Sequence, residues 1–158
     1  MIKTAVRLAL TVTLSALFAA GCASGPPKPV KTHIAVTASA DANPDSAGKA
    51  APVVVRVYQL KSDVAFSSAD FFALFDDDKK VLAGDLVARD EFELSPGEQR
   101  PLDVMIPAEV RFIAALAAYR DIRNSTWRAI VPVPKKGLGK APVKVTAGRQ
   151  AVQLELGP

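Results

Sequence analysis

From residue 32 onward the apolar positions of the chain recur mostly at every second residue. Ile34, Val36, Ala38 and Ala40 alternate with His33, Thr37 and Ser39, the pattern of a half-buried strand. Val53 to Leu60 is apolar on both sides of its pleat (Val53, Val55, Val57; Val54, Tyr58, Leu60), which predicts a central strand. Leu86, Ala88, Phe92 and Leu94 alternate with Arg89, Glu91 and Glu93; Pro96-Gly97 marks a turn, and Leu102, Val104 and Ile106 resume the period. Phe112 to Tyr119 is apolar throughout and fits helix or strand on pattern alone. The turn former Asn124-Ser125, followed by Trp127, Ala129, Val131 and Val133, selects a strand hairpin. Val143, Val145 and Ala147 meet Gly148 and then Val152, Leu154 and Leu156, a further hairpin. Seven or eight short strands separated by turns predict an all-β, two-sheet sandwich.

One segment, about residues 62–83, interrupts this period. Phe66 to Phe75 reads as a short helix, with Ser67 as its cap and Asp70 near the positive end of its dipole. Phe66 and Phe71 have the spacing of a hydrophobic staple, and Phe71, Leu74 and Phe75 share one face. Asp76-Asp77-Asp78 would be repelled at a helix C-terminus, so the helix is expected to end there in a solvated acidic run. Four of the chain's seven phenylalanines lie in this insertion, which must therefore pack on an edge or end of a sheet.

The N-terminal end follows another logic. Lys3 and Arg7 precede Leu8 to Ala20, an uncharged run that suits an export signal and is too short to span a bilayer. It closes on Ala19-Ala20-Gly21-Cys22, two small residues and a cysteine. This is similar to a bacterial lipobox, in which the thiol is acylated and the chain is cut just before it. The alternative is an ordinary signal peptide with an incidental cysteine. The lipobox is preferred because the chain's one Cys stands where acylation needs it. Residues 1–21 are then the signal and 22–31 an acylated cysteine with a Pro-rich tether, leaving 32–158 as the sandwich domain. Ala23 after the Cys, by resemblance to known lipoprotein sorting, favours the outer membrane.

Charge and composition remove several function classes. The 158 residues carry a net +4, but Lys3 and Arg7 fall in the signal, so 18 basic against 16 acidic residues leave about +2. Neither a concentrated basic footprint nor stacking aromatics point to nucleic acid. One His and one Cys leave no material for a zinc site or a Ser-His-Asp triad, and no cofactor motif is present. His33 reads as an exposed strand residue. Asp76 to Asp78 lack the spacing of a calcium loop. Glu91 and Glu93 share a strand face with nothing apolar to raise a pKa for acid catalysis. Lys135, Lys136 and Lys140 form a solvated basic loop. Arg120-Asp121 and Trp127-Arg128 flank the hairpin turn, where ion pairing and cation–π contact would hold the fold.

The connection Asp41 to Pro52 stands apart. It exceeds a hairpin's needs, and loops of that length are usually functional or disordered. Asn43-Pro44-Asp45 forms turns and Gly48 can take positive φ, so the loop is stiffened, which suits a protein contact. A plain surface loop is the other reading. On the binding reading, Asn43-Pro44-Asp45 is expected to be replaceable without loss of thermal stability.

Taken in order, several residue groups form one pattern. They are Cys22, Asn43-Pro44-Asp45 with Gly48, Arg56-Val57-Tyr58-Gln59-Leu60, Phe66 with Ala69-Asp70-Phe71, Pro96-Gly97, Tyr119-Arg120-Asp121 and Trp127-Arg128. This set resembles the TssJ lipoproteins of type VI secretion systems. The resemblance implies a transthyretin-like sandwich with a small helical insertion, lipid-anchored through Cys22 on the periplasmic face of the outer membrane. It further implies binding of the periplasmic C-terminal region of TssM, an inner-membrane protein, through the loop between the first two strands. The residues concerned are Asp41, Ala42, Asn43, Pro44, Asp45, Ser46, Ala47, Gly48 and Lys49. Arg56, Tyr58, Arg120, Asp121, Trp127 and Arg128 are expected mainly to hold the fold. A carrier of a lipid or pore subunit, with an apolar cavity between helix and sandwich, is the rival reading; an enzyme is not expected.

Overall fold

The computed structural model describes residues 28–134, 138 and 142–157. Among these residues eight strands make two four-stranded sheets. Sheet one contains β1 (Val30–Ala38), β4 (Gln99–Ile106), β7 (Val143–Ala147) and β8 (Val152–Leu156), in the order β4-β1-β7-β8. Sheet two contains β2 (Val53–Leu60), β3 (Leu86–Leu94), β5 (Phe112–Ala118) and β6 (Arg128–Pro132), in the order β3-β2-β5-β6. All pairs are antiparallel except β1 with β7, which is parallel. Pro96-Gly97, with Gly97 at φ 80°, does not join a hairpin; it carries the chain from β3 in one sheet to β4 in the other.

Alternation explains the core between the sheets. Ile34, Val36, Val55, Val57, Ile113, Ala115, Val145 and Leu154 project inward and are buried. On the outer face of sheet one, Lys31 and His33 meet water, as a one-sided strand requires. Sheet two is covered on both faces, which is why β2 and β5 read as continuous apolar runs. Its outer face presents Tyr58, Leu60, Ala114 and Leu116 to Phe66, Leu74 and Leu82 of the insertion, forming a second core.

The insertion is two helices, α1 (Val64–Ser68) and α2 (Phe71–Leu82). The expected cap Ser67 lies inside α1; the cap of α2 is Asp70, whose Oδ1 accepts the amide of Ala73 at 3.0 Å. A residue that follows an extended φ/ψ can turn its carboxylate back onto the helix, and one already helical cannot. The acidic run does not end the helix either. Asp77 is non-helical (φ −146°, ψ 59°) and accepts the amide of Lys80 at 3.3 Å, so it caps a second segment. Three acids are tolerated there because they stand at a new helix N-terminus rather than a C-terminus.

Tyr119, buried after β5, has a hydroxyl with no hydrogen-bond partner among the described residues, and burial raises its pKa. Tyr119→Phe is therefore expected to stabilise the fold by about 1 kcal/mol, a rise of a few degrees in the thermal midpoint. A fall instead would mean that an ordered water satisfies the hydroxyl.

Candidate functional site

The connection between β1 and β2 divides into a buried base and an exposed tip. Ala42 and Asn43 are buried, and Asn43 holds φ 49°, a left-handed conformation that asparagine tolerates. Its side chain is used at both ends. Nδ2 donates to the Pro52 carbonyl at 2.5 Å, and Oδ1 accepts the backbone amide of Arg120 at 2.7 Å. The Asn43 amide donates to the Arg149 carbonyl at 3.1 Å. Asn43 thus fastens the loop to the β5–β6 connection and the β7–β8 turn. Replacing Asn43-Pro44-Asp45 is therefore expected to cost stability at Asn43, whose side chain holds the loop in place.

Asp45 stiffens the tip. Its Oδ1 accepts the amides of Ala47 and Lys49, both at 2.9 Å, and its own amide donates to the Lys49 carbonyl. Gly48 takes φ 80°, where a side chain would be strained, and its amide donates to the Asp45 carbonyl. Asp41 accepts the Ser39 hydroxyl at 2.6 Å. Pro44 and Asp45 are half-buried, while Asp41, Ser46, Ala47, Gly48 and Lys49 are exposed. Of the residues singled out in the sequence, five are therefore exposed at the tip, and Ala42 and Asn43 support them from below.

The residues read as fold-holding converge elsewhere. On the outer face of sheet two, one carboxylate oxygen of Asp78 accepts from three groups: Arg89 Nη1 at 2.8 Å, the Tyr58 hydroxyl at 3.1 Å and Arg56 Nη1 at 3.4 Å. Asp78 is 3% exposed, so the reading of the whole acidic run as solvated is wrong for this residue. Arg56 also donates to Glu91 at 2.6 Å and to the Phe75 carbonyl at 2.7 Å, and its guanidinium lies 4.4 Å from the Phe75 ring centre. Burial opposes the Arg56 charge, but its polar partners, the hydrogen bond to Glu91 first among them, outweigh it and its pKa is raised. Burial, then the Asp78 charge, raises the pKa of Tyr58, which stays a donor. This cluster locks α2 to β2 and β3.

Arg128 does the same for α1. Its Nη1 donates to the carbonyls of Ala69 at 2.8 Å and Phe66 at 3.1 Å, capping the helix end, and it stacks over Trp127 at 4.6 Å. Trp127 meets the Phe71 ring edge-on. Arg120 and Asp121 do not form the expected ion pair; Asp121 accepts from Asn124, and Arg120 contributes its backbone amide. His33 lies on the exposed face of sheet one, 2.7 Å from Asp103, which also pairs with Lys31 at 3.2 Å. The space between helices and sheet is filled by Phe66, Leu74 and Leu82, where a carrier would need a cavity. The groove on the solvent side of α2, lined by Phe72, Asp76, Lys80 and Val81, is open. Cys22 and Lys135, Lys136 and Lys140 lie outside the described residues. No cluster of His, Cys, Asp and Glu among the described residues could hold a metal, and no described helix is long and apolar enough to cross a membrane.

The fold and the loop define an all-β sandwich with a helical insertion, its polar side chains used for helix caps, a buried ion-pair cluster and one stiffened loop. The family described as Type VI secretion lipoprotein (VasD, EvfM, TssJ) matches residues 30–157, and the chain belongs to it. The T6SS lipoprotein TssJ1 of Pseudomonas aeruginosa is 41% identical, with a TM-score of 0.76 over 82% of this chain and 98% of that one. Serratia marcescens Lip, a membrane-bound component of the type VI secretion system, is 28% identical, with a TM-score of 0.72 over 80% and 96%. A chain in the solved structure described as the TssM C-terminal domain from EAEC is 29% identical, with a TM-score of 0.60 over 81% and 98%. No curated protein matches the chain. The family is one of membrane-complex lipoproteins rather than enzymes, and the all-β sandwich with its helical insertion agrees with these structures.

Proposed function

We propose that this lipoprotein is anchored in the outer membrane through acylated Cys22 and binds the periplasmic C-terminal region of TssM with the tip of its β1–β2 loop, linking the two membranes. The observation that carries this reading is the placement of that loop. β1 starts at Val30, within the last two residues of the stretch expected as tether, and runs roughly 30 Å before the chain enters the loop, at the rise of about 3.3 Å per residue. The loop therefore stands at the pole of the sandwich opposite the start of β1, the end at which the proposed anchor would enter. Its tip is held in one shape by Asp45 before any partner arrives, which lowers the entropy lost on binding. The match to a chain in the structure described as the TssM C-terminal domain from EAEC supports the choice of partner.

The test is calorimetric titration of the full lipidated chain, in detergent, with the TssM C-terminal domain from the same bacterium. Ala47→Trp places a bulky ring on the exposed tip without touching the Asp45 or Asn43 bonds. It is expected to weaken binding about a hundredfold while the thermal midpoint stays within about 1 °C. Unchanged affinity would remove the tip from the contact, and no binding by the native chain would remove the partner.

A further inference from the structure

Three connections meet at the pole that carries the loop, and hydrogen bonds make them one surface. Asn43 joins the β1–β2 loop to Arg120 of the β5–β6 connection and to Arg149 of the β7–β8 turn. Thr126 of the β5–β6 connection donates its amide to Gln150, closing the set. Arg120, Arg123 and Arg149 are exposed on this surface together with Lys49. The Arg149 guanidinium lies over the tip, 4.0 Å from where a Cβ on Gly48 would stand.

The charges on this surface are arranged unequally. Every ion pair among the described residues is made elsewhere, by Lys31, His33, Arg56, Lys61, Arg89 and Arg100. The acids of the pole are short and held down by local donors: Asp41 by Ser39, Asp45 by two backbone amides, Asp121 by the Asn124 amide. The four cations are long and have no carboxylate within 4.0 Å among the described residues. Three are guanidiniums, whose planar fork of donors matches carboxylates in pairs.

We infer that Arg120, Arg123 and Arg149 extend the loop into a composite docking surface for an acidic face of the protein partner. This inference rests on the proposed function and specifies the partner's chemistry. Charges at such a rim steer the encounter and act on the association rate more than on dissociation. The substitution is also separable from folding, since Arg120 and Arg149 hold the loop with backbone atoms and not with their guanidiniums.

The experiment measures association rates of the full chain with the TssM C-terminal domain at several salt concentrations. The native rate is expected to fall steeply with salt. The triple variant Arg120→Gln, Arg123→Gln, Arg149→Gln is expected to associate about tenfold more slowly at low salt and to lose most of the salt dependence, with an unchanged thermal midpoint. A native rate indifferent to salt, or a triple variant that matches the native chain, overturns the inference while leaving the proposed partner in place. Equal loss of binding to anionic lipid vesicles and to the domain would also overturn it, since the surface would then read charge on lipid. Absence of native binding removes the proposed function and this surface together.

Discussion

Replacing Asp78 by Ala is expected to lower the stability by about 3 kcal/mol and the thermal midpoint by roughly 10 °C. The substitution removes the one oxygen on which Arg56, Tyr58 and Arg89 converge. Arg89 is partly exposed and can turn to water. The Arg56 side chain is 10% exposed and cannot, and Tyr58 is fully buried. The loss stays near the lower end for a broken buried pair because Glu91 and the Phe75 carbonyl still satisfy part of Arg56. Asp78→Asn keeps an oxygen in place and gives up the charge, so it is expected to cost about half as much. Thermal unfolding of both variants decides the matter. A loss below about 1 kcal/mol for the alanine variant would mean that the cluster behaves as a solvent-screened surface pair.

The second large effect is at Asn43. Asn43→Ala leaves the partly buried Arg120 amide without its acceptor and forces a Cβ-bearing residue with no compensating side-chain bond into φ 49°. The two terms together come to roughly 3 kcal/mol. Asn43→Gly removes the backbone term and keeps the hydrogen-bond loss, so about 1 kcal/mol should return. Asn43→Asp is no substitute, because its second oxygen would face the Pro52 carbonyl that the native amide donates to. Both the alanine and glycine variants are expected to weaken partner binding although the Asn43 side chain is buried, since the tip would lose its base. Thermal midpoints and the TssM titration, measured on the same samples, test this. A variant that loses binding with no change in midpoint would place Asn43 in direct contact instead.

What the sequence made legible follows from the range of the interactions involved. Strand periods are local, so β1, β2 and the hairpins β5–β6 and β7–β8 are legible directly, and the turn at Asn124-Ser125 fixes the apolar run at Phe112 as a strand. The positive φ of Gly48 was legible for the same reason. Asp78 was not, because within Asp76-Asp77-Asp78 nothing local distinguishes it. Its partners come from β2 and β3, brought together by the fold. Asp70 and Ser67 compete as caps by composition alone, and only the extended backbone at Asp70 decides between them. Asn43 was legible as a turn former, while its role as a fastener depends on Arg120, 77 residues away. Of the arginines at the loop pole, Arg120 reads as fold-holding by its neighbour Asp121; the guanidiniums of Arg120, Arg123 and Arg149 stand free only when the ion pairs among the described residues are traced.

The strand order of sheet one has a mechanical consequence. A pull between the N-terminal segment and the β1–β2 loop is a pull along β1. That strand is the interior one flanked by β4 on one side and by β7, running in the same direction, on the other. Tension along it is borne by the covalent backbone of a strand that is already extended, so neither ladder has to slide or open. Had the two points of attachment lain at one end of a hairpin, the same tension would have peeled the bonds apart in succession. A chain loaded in this way resists extension at its strongest geometry, with the load passing through one continuous strand.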